Sequence, residues 1–185
     1  FDAMSNQLMN ELSIQPLRHI LNTSGISNFP EGQYDMVRLG IGLYGVSNDA
    51  EEQKYLENVS TLKSVISQIR TVPAGDSVGY GRRFMAAKPT VVATIPIGYA
   101  DGISRLWGNG SGYVTVNKQK AIILGSVCMD MLMVDVTGIE CAEGDDVIVF
   151  GESPTVIEIA EKTQTIPYEI LTSISQRVKR VFYRE

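Results

Sequence analysis

The chain has 185 residues, enough for one large domain or two small ones. Hydrophobic residues make up 44% of it, which supplies a packed core and excludes global disorder. Sixteen Lys and Arg against 21 Asp and Glu leave a net charge of −5, and this argues against nucleic acid as the main partner, because phosphate binding needs a basic face.

No apolar run approaches membrane-spanning length, and the N-terminus lacks the build of a signal peptide. A cytoplasmic protein with no membrane partner is the expectation. Cys128 and Cys141 form no CxxC, and His19 is the only histidine, so no zinc set is offered. Two free, buried thiols in a reducing compartment are expected.

In chain order, Phe1, Met4, Leu8 and Leu12 fall on one helical stripe, which predicts a helix over 1–12. A helix that begins at the first residue, without an initiator Met, suggests a chain cut from something larger. Pro16–Leu21 and Met36–Leu39 read as short strands, with Asn22–Gly25 as a polar loop and Phe29–Gly32 as a turn between them. A Gly-rich turn follows over Gly40–Gly45. Residues 47–58 are crowded with charge and read as a surface linker at a domain boundary.

Beyond it the texture is β. Leu62–Val72 is rich in branched residues and ends at the turn Pro73–Asp76. Thr90–Ile95 reads as a buried strand. Gly112–Val116 and Lys120–Leu124 flank the turn Asn117–Gln119 as a hairpin, and Met131–Val136 and Asp146–Phe150 add two strands. Several short strands at this spacing predict a barrel or compact sheet. Thr155 and Glu158 fit a capping box, with Val156, Ile159 and Ala160 facing the core. Pro167 suits the first position of a last helix, with Ile170, Leu171 and Ile174 behind it, and Val178–Tyr183 reads as a final strand.

Four stretches place polar groups beside Gly. Arg38-Leu39-Gly40-Ile41-Gly42 leaves a strand into a Gly-rich turn whose N–H groups suit a phosphate. The bland alternative is a tight turn with a surface Arg. Gly79-Tyr80-Gly81 sets a tyrosine between two residues that tolerate unusual backbone angles, so Tyr80 stands out of a loop; Arg82 and Arg83 would favour its phenolate if they folded beside it. The alternative is a polar turn with Tyr80 packed on a neighbour. Ile95–Gly102 ends a buried strand with Tyr99 and Asp101, and Arg105 follows; a plain corner explains these residues equally. Gly125–Asp130 lies between strands, but its Cys128 has no histidine partner for nucleophilic work. By themselves these residues identify no reaction.

Together and in this order, Val78–Gly81, Ile95–Gly102, Val127–Asp130, Ile166–Glu169 and Arg177–Val181 resemble alanine racemase, a fold-type III pyridoxal phosphate enzyme. The resemblance runs from about His19 to the C-terminus. Its ending and texture look like Bacteroidetes-type racemases, in which fusion behind a muramyl-peptide ligase occurs. It implies a mainly β architecture. Residues 1–46 would be the last α/β elements of a truncated TIM barrel, 47–58 a linker, and 59–185 a C-terminal β-barrel-like domain with short terminal helices.

The resemblance also implies roles. Tyr80 matches the catalytic tyrosine, one of two bases that flank Cα. The other is a lysine near the start of the family's barrel, which carries the cofactor and has no match here. In the family the tyrosine is tuned by a barrel histidine and arginine, so Arg82 and Arg83 matter less than their position suggests. Met129 matches a backbone N–H that holds the substrate carboxylate, with Asp130 beside it. Tyr99, Arg105 and Ile166 match the substrate corridor. Arg38 would face the pyridine nitrogen of pyridoxal 5′-phosphate, and Thr23, Gly40, Ile41 and Tyr168 match positions around its phosphate. Two departures are Thr23, where Ser is common, and Ser126, where Arg is frequent.

The family is a head-to-tail homodimer that interconverts L- and D-alanine, supplying D-alanine for peptidoglycan. The chain without the lysine is expected to have little activity. Two alternatives are a racemase of serine or lysine and a β-barrel assembly module with no chemistry of its own.

Overall fold

A computed structural model describes residues 1–47 and 49–183. Asn48, in the expected linker, and Arg184 and Glu185, at the end of the expected β domain, lie outside the described residues. The chain divides into two compact units, Phe1–Val59 and Ser60–Glu185.

The first unit is helical turns and extended backbone. Helix α1 (Asp2–Leu12) forms as its periodicity predicts, but it buries none of its residues. Phe1, Met4, Leu8 and Leu12 are all about half exposed or more. Asn22–Gly25 is not a loop: Asn22 caps helix α2 (Thr23–Asn28), its side chain accepting from the Gly25 N–H at 3.0 Å. Pro16–Leu21 and Met36–Leu39 are not strands. They run side by side, but among the described residues one backbone bond joins them, Arg38 N–H to Leu21 O, with Asp35 N–H to Arg18 O just before it. No regular ladder results. Pro30–Gly32 and Ile41–Tyr44 are single 3-10 turns, and helix α3 (Ala50–Gln53) is capped by the Asp49 carboxylate.

The second unit is built on one seven-stranded antiparallel sheet. Its strands are β1 (Leu62–Val65), β2 (Gln68–Val72), β5 (Thr90–Ile95), β6 (Tyr113–Val116), β7 (Gln119–Leu124), β8 (Leu132–Asp135) and β9 (Asp146–Phe150). The spatial order is β1-β9-β6-β7-β8-β5-β2. The two edge strands are therefore consecutive in sequence. At their junction Ile66 donates to Asp145 O, on the β9 side, and Ser67 donates to Thr94 O, on the β5 side. The segment read as one strand over Leu62–Val72 thus breaks after Val65 and changes partner, and the sheet curls into a half-barrel. The fold is mostly β with few helices, as expected.

Patterning explains the curl. β6 is buried on both faces. Val114 and Val116 point into the sheet's core, while Tyr113 and Thr115, on the opposite face, reach the segment that leads into helix α4 (Val156–Lys162). The Tyr113 hydroxyl donates to Glu158 Oε2 at 2.7 Å, and the Thr115 hydroxyl donates to Ser153 O at 2.6 Å. Only half of the capping box therefore forms. Thr155 Oγ1 accepts from the Glu158 N–H at 3.1 Å, but the Glu158 carboxylate is drawn to Tyr113 rather than back to the cap. Between β6 and β7 the turn is Asn117-Lys118, both with positive φ, and Gln119 already belongs to β7. Helix α5 (Pro167–Ser173) starts on its proline and buries Ile170.

Val178–Tyr183 is not a strand. Arg180 donates to the carbonyls of Ile174, Ser175 and Val178 and folds this segment back on itself. Both cysteines are free; Cys128 is buried, whereas Cys141 is only half-buried. Burial, with the Asp145 carboxylate, raises the Cys141 pKa and keeps it a thiol.

Candidate functional site

Three loops of the second unit carry candidate residues, and the first and third of them flank one apolar cluster of Val72, Val78, Ala86, Val92, Leu124, Cys128 and Met133, with Phe84 packed on it. The first joins the short strands β3 (Ser77–Val78) and β4 (Phe84–Met85). Val78 is fully buried, and two residues later Tyr80 is 78% exposed. Gly79 and Gly81 both have positive φ, 76° and 70°, which is what turns the chain outward so abruptly. A Cβ on Gly79 would lie 3.0 Å from Met133 Cε, so the loop also hugs the cluster. Neither Arg82 nor Arg83 donates a hydrogen bond to Tyr80 among the described residues; both are exposed.

The second loop is the 3-10 turn Tyr99–Asp101, which follows β5. Asp101 is buried, and its Oδ2 accepts from the Gly98 N–H at 2.8 Å. The third is the turn Cys128–Met131, closed by the Cys128 N–H donating to Met131 O at 2.9 Å. The second and third loops lie edge to edge: Tyr99 N–H donates to Cys128 O at 2.9 Å, and Ala100 N–H donates to Met129 O at 3.0 Å. Gly98 permits this approach. A side chain there would run into the carbonyls of Cys128 and Met129. With their carbonyls tied inward, Met129 and Tyr99 stay outward, 53% and 42% exposed. The Met129 N–H has no acceptor among the described residues.

Arg105 is exposed in the 3-10 turn Arg105–Trp107, whose Trp107 is buried and donates through Nε1 to Tyr113 O at 3.2 Å. Ile166, the residue before α5, and Tyr168, in its first turn, are both exposed. Ser126 is buried at the root of the third loop, its carbonyl accepting from the Cys128 thiol at 3.5 Å.

Sequence reasoning missed what Arg177 does, although it singled out the segment. Arg177 Nε donates to Asp101 Oδ1 at 2.6 Å, and Nη2 donates to Asp130 Oδ1 at 2.7 Å. One guanidinium thus joins the second and third loops. Desolvation works to raise the Asp101 pKa, but the Arg177 guanidinium and the Gly98 N–H together outweigh it and hold the carboxyl below its usual range. The two carboxylates in turn raise the Arg177 pKa further.

In the first unit, Thr23 is buried and its Oγ1 accepts from the N–H groups of Gly40, at 3.0 Å, and Gly42, at 3.4 Å. The hydroxyl proton of Thr23 and the N–H of Ile41 have no acceptor among the described residues. Arg38 is exposed, and its Nη2 donates to Ile20 O at 2.9 Å, which fixes the guanidinium beside this turn. The donor set suits an oxyanion. No helix is long and apolar enough to cross a membrane, and no cluster of three or more metal-ligating side chains occurs, among the described residues.

The family profile "Alanine racemase, C-terminal domain" matches residues 59–182, and "Alanine racemase, N-terminal domain" matches residues 1–48. Alanine racemase 2 of Caldanaerobacter subterraneus subsp. tengcongensis is 43% identical over 173 residues, which are 90% of this chain and 44% of that protein. The solved alanine racemase of Streptomyces coelicolor A3(2) superposes with a TM-score of 0.89 at 33% identity, over 97% of this chain and 49% of the other. A solved alanine racemase from Bartonella henselae with covalently bound pyridoxal phosphate gives a TM-score of 0.81 at 36% identity, over 88% and 46% of the two chains. The chain spans about half the length of the curated relatives it matches. It belongs to the alanine racemase family.

Proposed function

We propose that the chain is the C-terminal part of a cytoplasmic alanine racemase that interconverts L- and D-alanine, providing D-alanine for peptidoglycan. The observation that carries this reading is the pairing of Tyr80, turned outward between two positive-φ glycines, with the outward Met129 turn on the same core cluster.

Racemisation at Cα needs a base on each face, since the proton leaves one side and returns on the other. Tyr80 Oη takes and gives the proton on one face. The lysine that the family uses on the other face has no counterpart in this chain. The Met129 N–H holds the substrate carboxylate, Asp130 sits beside it, and Tyr99, Arg105 and Ile166 line the approach. Pyridoxal 5′-phosphate, when bound, acts as the electron sink that makes the Cα proton removable. In the turn that opens at Gly40, whose own N–H is taken by Thr23 Oγ1, the Thr23 hydroxyl and the Ile41 N–H would hold its phosphate, and Tyr168 would supply a further phosphate contact. Arg38, permanently charged and held by Ile20 O, would face its pyridine nitrogen and favour that nitrogen unprotonated. The first unit is then the closing part of the cofactor barrel, and the second unit is the β domain that serves the barrel of a partner subunit in a homodimer.

The complete enzyme should turn over L- and D-alanine faster than serine or lysine, and the opposite order would reassign the substrate. Tyr80→Phe should slow proton removal from L-alanine by about 10²–10⁴-fold and that from D-alanine much less. Equal, small losses in both directions would reduce Tyr80 to a substrate contact. The 185-residue chain with added cofactor should show little turnover above free cofactor.

A further inference from the structure

The turn that presents Met129 lies outside the sheet ladder. Its carbonyls are tied by Tyr99 and Ala100, but Met129, Asp130 and Met131 are all exposed. Backbone bonds alone leave such a turn free to tilt. Among the described residues, the side chain that spans it and its neighbour is Arg177. Three further contacts anchor the C-terminal segment on the second loop. The Ser175 N–H donates to Asp101 O at 3.0 Å, the Ser173 hydroxyl donates to Gly102 O at 3.1 Å, and a Cβ on Gly102 would collide with the Ser173 carbonyl. Arg180, by closing on the carbonyls of Ile174, Ser175 and Val178, gives the segment a fixed shape. Arg177 therefore leaves a rigid base. Its Nε meets Asp101, and its Nη2 meets Asp130.

We propose that Arg177 is a positioning residue: by joining Asp101 to Asp130 it sets the angle between the Gly98–Gly102 loop and the Cys128–Met131 turn, and so aims the Met129 N–H at the substrate carboxylate. This rests on the reading of Met129 given under the proposed function. The chemistry requires Arg rather than Lys. A guanidinium offers donors in a planar fork and can address two carboxylates at fixed angles, whereas an ammonium is a point charge on a flexible stem. The need for a brace is equally physical, because displacing a binding group by about 1 Å can cost on the order of 10²-fold in rate.

The test compares the complete holoenzyme with its Arg177→Lys variant, by steady-state kinetics and by hydrogen-exchange mass spectrometry. The lysine keeps the charge beside buried Asp101 but loses the second, angled contact. The expected result is a KM for L-alanine raised roughly tenfold with kcat within about twofold, the pattern of lost ground-state and transition-state binding alike. Exchange should quicken at 127–131 and stay unchanged in β6 and β8. The proposal is overturned if KM is unchanged, or if exchange at 127–131 is unchanged. It is also overturned if exchange rises equally in β6 and β8, since Arg177 would then only stabilise the domain. A wild-type enzyme without racemase turnover would sink the proposed function, and the exchange comparison would still decide whether Arg177 holds the turn.

Discussion

The two units differ in how they satisfy their apolar residues. In Phe1–Val59 the buried hydrophobic side chains among the described residues are Leu21, Ile41 and Val46, and the stripe of α1 is exposed. In Ser60–Glu185 a curled sheet encloses side chains such as Val114, Ile123 and Val134 completely, and helix α4 buries Val156, Ile159 and Ala160. Burial is the dominant favourable term in folding. The second unit therefore holds its own stability, and its three loops rest on a core able to keep them in place. The first unit presents its phosphate-type donors from turns with little beneath them.

This contrast can be broken by mutation, and the largest expected effect comes from the sheet. Ile123→Ala empties a fully buried site in β7 and should destabilise the chain by about 2–5 kcal/mol in urea unfolding. A loss under about 1 kcal/mol would show that the core is not packed as described.

Gly98→Ala should rank next. The backbone angle there suits any residue, so the obstacle is space alone: a Cβ would lie 2.6 Å from the Met129 carbonyl carbon. Backbone cannot rotate away, so about 1–3 kcal/mol should be lost, with the second and third loops pushed apart. Retained stability together with unchanged exchange at Tyr99 and Ala100, whose N–H groups bridge the two loops, would refute that close approach.

Acid gives a smaller, graded effect. The folded-state pKa of Asp101 lies below its unfolded value of about 3.9. Its contribution is thus present above that value and fades as pH falls through the lower, folded one. Melting temperatures of wild type and Asp101→Asn should differ at pH 6, and the gap should narrow as pH falls below about 3.9. A gap that does not narrow on acidification would mean that the carboxylate charge is not what stabilises.

The smallest effect is expected in the first unit. Leu8→Ala, at a half-exposed position of α1, should change stability by no more than about 0.5 kcal/mol. A cost comparable to that of Ile123→Ala would erase the distinction between the units.

Much of this molecule follows from short-range rules. The 1–12 helix, the hairpin around Asn117, the Thr155 cap, the Pro167 start and the outward Tyr80 each depend on residues a few positions apart. Backbone angles and local hydrogen bonds decide such features, so composition and spacing reveal them. The misread strands have one cause. Pro16–Leu21, Met36–Leu39 and Val178–Tyr183 carry apolar, branched residues suited to strands, but a strand exists only if another segment completes its ladder. Leu62–Val72 has two such partners, one at each end, and so became two strands. Glu158 had the spacing to close its own cap, yet Tyr113, 45 positions away, took its carboxylate. In the same way Arg177 reaches Asp101 and Asp130 across 76 and 47 positions. Sequence by itself determined the local turns, the caps and the residue types of the candidate site. Only the tertiary structure decided which distant strands pair and which carboxylates one guanidinium joins, because those choices depend on distances that the curl of the sheet creates.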